Sequence, residues 1–187
     1  MKNVLNVNDL EQYLNRTTLI TGEVNSGKTN RTSGILKIFC DCGYEDRIAI
    51  LDLAPETNKG VGGKMGIPSP TLLYYLTDTI LAPRLSGKSE EEMQKKASGN
   101  AMIIENLFIK LSESKREILF INDATLYFHA GDFNRFVETL KLFQTTVINA
   151  YYGDYFADSK LTRRERKLTE ELMKICDLVI DCNKMRF

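Results

Sequence analysis

A single α/β domain spanning 1–187, with a mainly parallel five-stranded sheet between two helical layers, is what this sequence predicts. Three observations lead there. Short β-branched or apolar runs alternate with longer stretches at helical spacing, the pattern of linked βαβ units. The run "EILFIND" is apolar enough to be buried on both faces, as strands of parallel sheets are. With 187 residues, 43% of them hydrophobic, and no internal repeat, the chain suits one domain with a substantial core.

The elements follow in order. "TTLIT" (17–21) is the first strand. A helix runs from Lys28 to about Asp41, with Ile35, Leu36, Ile38 and Phe39 at near-helical spacing, and Gly43 stops it. "RIAILDL" (47–53) is the second strand. "SPTLLYYLTDTILA" (69–82) reads as a helix, with Ser69 as cap, Pro70 at its first position and Pro83 beyond its end. "SEEEMQKKA" and "NAMIIENLFIKLSES" give one or two more helices. "EILFIND" (117–123), "TTVINAYY" (145–152) and "DLVIDC" (177–182) are the remaining strands, and 132–144 and 161–176 are the helices that separate them. The stretches 55–68 and 83–99, rich in glycine, serine and charge, read as loops.

Composition excludes several classes. Lys plus Arg and Asp plus Glu are 25 each, so there is no basic excess for coating nucleic acid. No run approaches the ~18 apolar residues of a membrane span. The start, "MKNVLNVNDLEQYLN", is polar and lacks an apolar signal core, so the expected location is cytoplasmic. Cys40, Cys42, Cys176 and Cys182 form a CxC and a Cx5C, poor matches to zinc spacings, and reduced thiols are expected ahead of a metal or redox site.

The stretch "TLITGEVNSGKTN" (18–30) carries the chemistry. Gly22, Glu23, Val24, Asn25, Ser26, Gly27, Lys28 and Thr29 fit G-x4-G-K-S/T, with a strand before and a helix after; Asn30 continues the first helical turn. A polyphosphate needs many donors at close range. Glycines let the backbone curl so that successive N–H groups point inward, and the helix start adds free N–H groups and a positive dipole end. Lys28 is placed to reach the β- and γ-phosphates, and Thr29 to offer its hydroxyl to Mg²⁺. On these residues the chain resembles the P-loop NTPases. The resemblance implies a three-layer α/β/α sandwich and an ATP or GTP cofactor with Mg²⁺.

Such a site needs an acid at the end of a nearby strand. Asp123, after "ILFIN", is one candidate for metal binding and catalysis. If the strand register instead puts Asn122 at the metal position, Asp123 becomes the residue that polarises water; one residue of register exchanges the faces, and both arrangements stand. Asp52, ending "IAILD", is the second candidate for the same roles, since it falls at the ligand-bearing edge of the sheet. "IAILDLAPE" resembles the LIDxD-P stretch of partition and metallocofactor-assembly ATPases, with Ala54 in place of the second acid and Glu23-Val24 where those proteins carry an extra lysine. "GEVNSGKT" is similar to the GPVGSGKT loop of nickel-enzyme maturation GTPases, and Asn183-Lys184 to a fragment of their guanine-reading NKxD. Position 186 is Arg rather than Asp, and Asp123 is not followed by the D-x-x-G glycine, which favours ATP over GTP.

Other features suggest what surrounds the nucleotide. The loop 54–70, with four glycines and two lysines, is expected over the site as a substrate or switch loop. Arg163, Arg164, Arg166 and Lys167 crowd the start of a helix, where Thr162 and Glu165 form a capping-box pattern. Cations there oppose the dipole at a cost of about 0.3–1 kcal/mol; they form either a solvated face or a lid over a phosphoryl group. Tyr151, Tyr152, Tyr155 and Phe156 are candidates to stack on a base or to fill core and rim. His129, the only histidine, reads as a surface residue. The expected activity is nucleotide binding with hydrolysis. The alternatives are a small-molecule phosphotransferase with acceptor loop 55–68 and arginine lid 160–167, and a regulator that binds without turnover. A protein partner, a small-molecule acceptor and a homo-oligomer are all compatible with the sequence; a membrane or nucleic-acid partner is not expected.

Overall fold

The structure, a computed structural model, describes residues 10–56, 62–68 and 72–185. Six strands form one sheet: β1 (Thr17–Gly22), β2 (Ile48–Asp52), β3 (Tyr74–Thr77), β4 (Ile118–Asn122), β5 (Thr145–Tyr151) and β6 (Leu178–Asp181). Their order is β3-β2-β4-β5-β1-β6, and every pairing is parallel. The helices are α1 (Lys28–Asp41), α2 (Pro83–Ser86), α3 (Glu90–Glu113), α4 (Thr125–Phe128), α5 (Phe133–Leu140) and α6 (Lys160–Ile175). This is the expected three-layer α/β/α sandwich with a parallel sheet, with six strands where five were expected.

The sixth strand is a correction. Tyr74–Thr77 was expected inside a helix over 69–82, but it pairs with β2 from Ala49↔Tyr74 to Asp52↔Thr77. The apolar residues there alternate with period two. Tyr74 and Leu76 pack on one face of the sheet, and Leu73 and Tyr75 on the other. Aromatic residues that fill both sides of a pleat favour the strand. Pro83 is then the first residue of α2 rather than a stop after a helix. The proposed cap, Ser69, and Pro70 lie outside the described residues.

The two faces are covered differently. On one side α1 packs beside Leu10, Tyr13 and Met65, and Ile35, Leu36 and Phe39 meet Ile20, Ile50, Phe120 and Val147. On the other, α3, α4, α5 and α6 bury Leu51, Leu119, Ile121 and Ile148 under Ile104, Phe108, Phe136 and Leu172. The alternation fixes register. Ile118 and Phe120 face α1, so Asn122 does too, as do Asp52 after Ile50 and Asn149 after Val147. A parallel sheet gathers all its strand ends at one edge, and the loops there build the site.

Candidate functional site

The turn between β1 and α1 has the curled backbone that an anion cradle needs. Asn25 and Gly27 are left-handed, with φ of 57° and 88°. A Cβ on Gly22 would stand 2.5 Å from Ser26 Oγ and 3.1 Å from Cys182 Cβ, so only glycine lets the loop close there. Gly27 begins α1 with no side-chain cap. Among the described residues, the three other helices of eight residues or more are capped, by Ser89, Asp132 and Ser159. The N–H groups of the first turn of α1 are therefore left for something other than the chain's own side chains.

Val24, Asn25, Ser26, Gly27, Lys28, Thr29 and Asn30 line a cleft of about 370 Å³. Its other charged walls are Lys64, Arg84 and Asp123, so three cations face one carboxylate. Gly22 and Glu23 are not on that wall. Glu23, a carboxylate within this turn, is turned away from the cleft: its oxygens accept the N–H groups of Val24 (3.0 Å) and Asp154 (2.7 Å). Burial alone would raise the Glu23 pKa; the backbone donors of Asp154 and Val24 outweigh it and hold the carboxyl below its ordinary range. The Glu23 N–H donates to Asn183 Oδ1 at 2.8 Å, and its carbonyl accepts from Lys28 Nζ at 2.7 Å. Burial holds the Lys28 pKa below its usual value, against the opposing pull of Asp123, Cys182 and Glu23.

The strand ends opposite α1 carry a buried polar network. Thr29 Oγ1 donates to Asn122 Oδ1 at 3.3 Å, so Asn122, and not Asp123, meets the threonine of the β1–α1 turn. Asn122 Nδ2 donates to Asp52 Oδ1 at 2.8 Å. Asn149 Nδ2 donates to Asn122 Oδ1 and to Thr32 Oγ1, both at 2.9 Å, while Asn149 Oδ1 accepts the Asp123 N–H at 2.8 Å. Asp52 is fully buried and its oxygens are occupied. Oδ1 also accepts from Ala54 N at 3.2 Å, and Oδ2 accepts from Met65 N at 2.7 Å and Tyr75 Oη at 2.8 Å. By holding the amide nitrogen of Asn122, Asp52 turns the amide oxygen toward Thr29.

Asp123 differs in every respect. It lies one residue past β4, in the left-handed region at φ 61°, on the cleft wall. Such a backbone in a non-glycine residue persists where the surroundings enforce it, often at functional sites. Thr125 Oγ1 donates to its Oδ1. Burial raises its pKa, opposed by the Thr125 bond and by Lys28, Arg84 and His129. As for a divalent metal, the donors on this edge are Thr29 Oγ1, the neutral Asn122 Oδ1 and the Asp123 carboxylate. Together with phosphate oxygens and waters they fit Mg²⁺, which commonly takes few protein ligands.

Of the two readings of the basic run in α6, the solvated face fits and the lid does not: Arg163, Arg164 and Lys167 are exposed, and none of Arg163, Arg164, Arg166 and Lys167 is on the cleft wall. Arg164 ties α6 to the Phe128 and Gly131 carbonyls at 3.0 and 2.6 Å, Arg163 pairs with Asp158, and Arg166 donates to the Gly153 carbonyl. Other expectations require correction. Ser159, not Thr162, caps α6, because its hydroxyl accepts the Thr162 N–H. Glu165 is consequently no capping-box residue; it is buried and pairs with Arg84 and with His129 Nε2 at 2.7 Å. His129, expected at the surface, is only 1% exposed. Arg84 and Asn149 escaped sequence reading. A polar residue within the apolar strand "TTVINAYY" was the available signal for Asn149; Arg84, in "APRLSGK", has none. In the 54–70 loop, Gly62, Gly63 and Lys64 line the cleft, and Lys64 Nζ donates to Thr77 Oγ1 at 2.7 Å; 57–61 and Arg186 lie outside the described residues. Tyr151 and Phe156 are on the cleft wall, whereas Tyr152 bonds Glu170. No helix among the described residues is long and apolar enough to cross a membrane.

With this geometry in view, comparison with known proteins adds little. No family model matches the chain, and no curated protein matches it. Among solved structures it is similar to the Pif1 helicase from Candida albicans, at 16% identity and a TM-score of 0.49, over 97% of this chain. The chain spans 40% of the length of that structure.

Proposed function

We propose that this protein binds a nucleoside triphosphate with Mg²⁺ in the cleft between the β1–α1 turn and the ends of β4 and β5, and hydrolyses it. The carrying observation is the uncapped start of α1, which opens beside Lys28 onto a wall of three cations and one carboxylate. The loop amides and Lys28 hold the β- and γ-phosphates; Thr29 and Asn122 hold Mg²⁺ directly or through water; Asp123 orients the attacking water. Asp52 acts through Asn122, as a positioning residue. ATP is preferred over GTP, on the absence of the D-x-x-G and NKxD patterns. A cytoplasmic location fits this reading.

One observation favours a second reading, a regulator that binds without turnover. Asn122 brings a neutral oxygen where a carboxylate would hold Mg²⁺ more firmly. The phosphotransferase reading loses its lid, because the arginines of α6 bond elsewhere. Phosphate release from ATP and from GTP, with Mg²⁺ and with EDTA, separates the two. Mg-dependent release that Asp123→Asn abolishes supports hydrolysis. Tight binding with no release, alone or with added partners, supports the regulator.

A further inference from the structure

The cleft holds a cation that the P-loop reading does not use. Arg84 is the second residue of α2, and its side chain is only 10% exposed. It is held on two sides. Nη1 donates to the buried Glu165, whose other oxygen is fixed by His129 Nε2 at 2.7 Å. The guanidinium carbon lies 3.6 Å from the centroid of the Phe156 ring and 5.1 Å from that of Tyr151. The Lys28 ammonium is 5.8 Å from the same Tyr151 ring, so both cations gather at one aromatic side chain. Both also act on the Asp123 carboxylate.

Arg84 has more donors than its partners use. A guanidinium carries five N–H groups in a rigid fork. Among the described residues Nε and Nη2 have no hydrogen-bond partner. Asp123 and Glu165 offset Arg84, Lys28 and Lys64 only in part, so the cleft favours a further anion among them. The geometry points to Arg84 as the residue that reads the terminal phosphate: Nη1 stays on Glu165, which aims the fork, and the free donors take oxygens of the γ-phosphate. Glu165 and His129 position Arg84 and do not touch the ligand. The chain thereby supplies its own arginine, and ATP is distinguished from ADP by a group outside the β1–α1 turn. This rests on the triphosphate reading above.

Equilibrium titration with ATP and ADP, each with Mg²⁺, tests the assignment, with GTP and GDP run in parallel. Arg84→Gln is expected to weaken triphosphate binding by about tenfold or more while diphosphate binding changes less than about threefold. Arg84→Lys keeps the charge, loses the fork and should fall between. Because Arg84→Gln strands a buried Glu165, the double variant Arg84→Gln/Glu165→Gln removes both charges together; it should fold and show the same lost preference. A wild-type triphosphate preference that survives in the double variant would overturn the role of Arg84 while leaving the cradle intact. Should the wild-type protein bind none of these nucleotides, the triphosphate reading fails and the Arg84 assignment falls with it.

Discussion

Asp52 and Asp123 stand near the ends of neighbouring strands, and the sequence offers Asp123 first and Asp52 second as candidates for the chemistry. Their surroundings differ. Asp52 accepts four hydrogen bonds from Ala54, Met65, Tyr75 and Asn122, with no exposure to solvent. Asp123 is on the cleft wall beside Lys28 and Arg84, in a left-handed backbone, with burial raising its pKa. A carboxylate whose lone pairs are all in use holds other groups in place; one with capacity left and an unfavourable environment is available to a ligand. What a strand-end acid does is thus decided by what remains unsatisfied around it.

Exchanging the charge at each position should break the pair apart. Asp123→Asn should lower turnover by about 10²–10⁴-fold, the range for a lost general base, with no loss of melting temperature and a gain in metal-free buffer as pH rises. Asp52→Asn should act chiefly on stability. Its amide nitrogen faces donors that need an acceptor, at a cost of roughly 2–4 kcal/mol in urea unfolding. If Asp52→Asn proves as stable as wild type and inactive, the roles are reversed.

Asn122→Asp sharpens the contrast, because it puts a carboxylate against Asp52 where the amide now donates at 2.8 Å. In EDTA the variant should be less stable by about 1–3 kcal/mol through like-charge repulsion, and Mg²⁺ should restore part of the loss. Melting curves with and without Mg²⁺ check this. Asp123 should also leave a mark on pH dependence. Burial raises its pKa in the folded chain. The folded state therefore keeps a proton at pH values where the unfolded state has lost it, and in metal-free buffer stability falls as pH rises through that window. Asp123→Asn should remove this slope. The smallest effect is expected for Tyr75→Phe, which deletes one of the four bonds to Asp52 and should cost about 1 kcal/mol.

The part of the site that is local in the chain was legible. Gly22 to Thr29 declares itself because its glycines, lysine and threonine must be consecutive to form one turn. The five strands expected from the sequence were legible for a related reason: each carries its burial pattern within a few residues. Tyr74–Thr77 misled because two prolines at plausible cap positions framed an apolar run whose period of two is short. The register at Asn122-Asp123 needed the packing of Phe120 against the α1 face, which only the folded sheet supplies. Arg84, Glu165 and His129 assemble from separate elements: Arg84 and Glu165 are 81 positions apart, His129 and Glu165 36. No local pattern marks such a cluster, and Glu165 carried a misleading one in its spacing from Thr162.

The most direct measurement is the melting temperature of wild-type protein and of Lys28→Ala across ATP, GTP and ADP, each with and without Mg²⁺. A ligand at about a hundred times its dissociation constant stabilises by ~2.7 kcal/mol, or roughly 5–10 °C for a domain of this size. The account predicts such a rise for wild-type protein with a Mg-triphosphate and none for Lys28→Ala. Equal rises in both proteins, or no rise with any nucleotide, would contradict it.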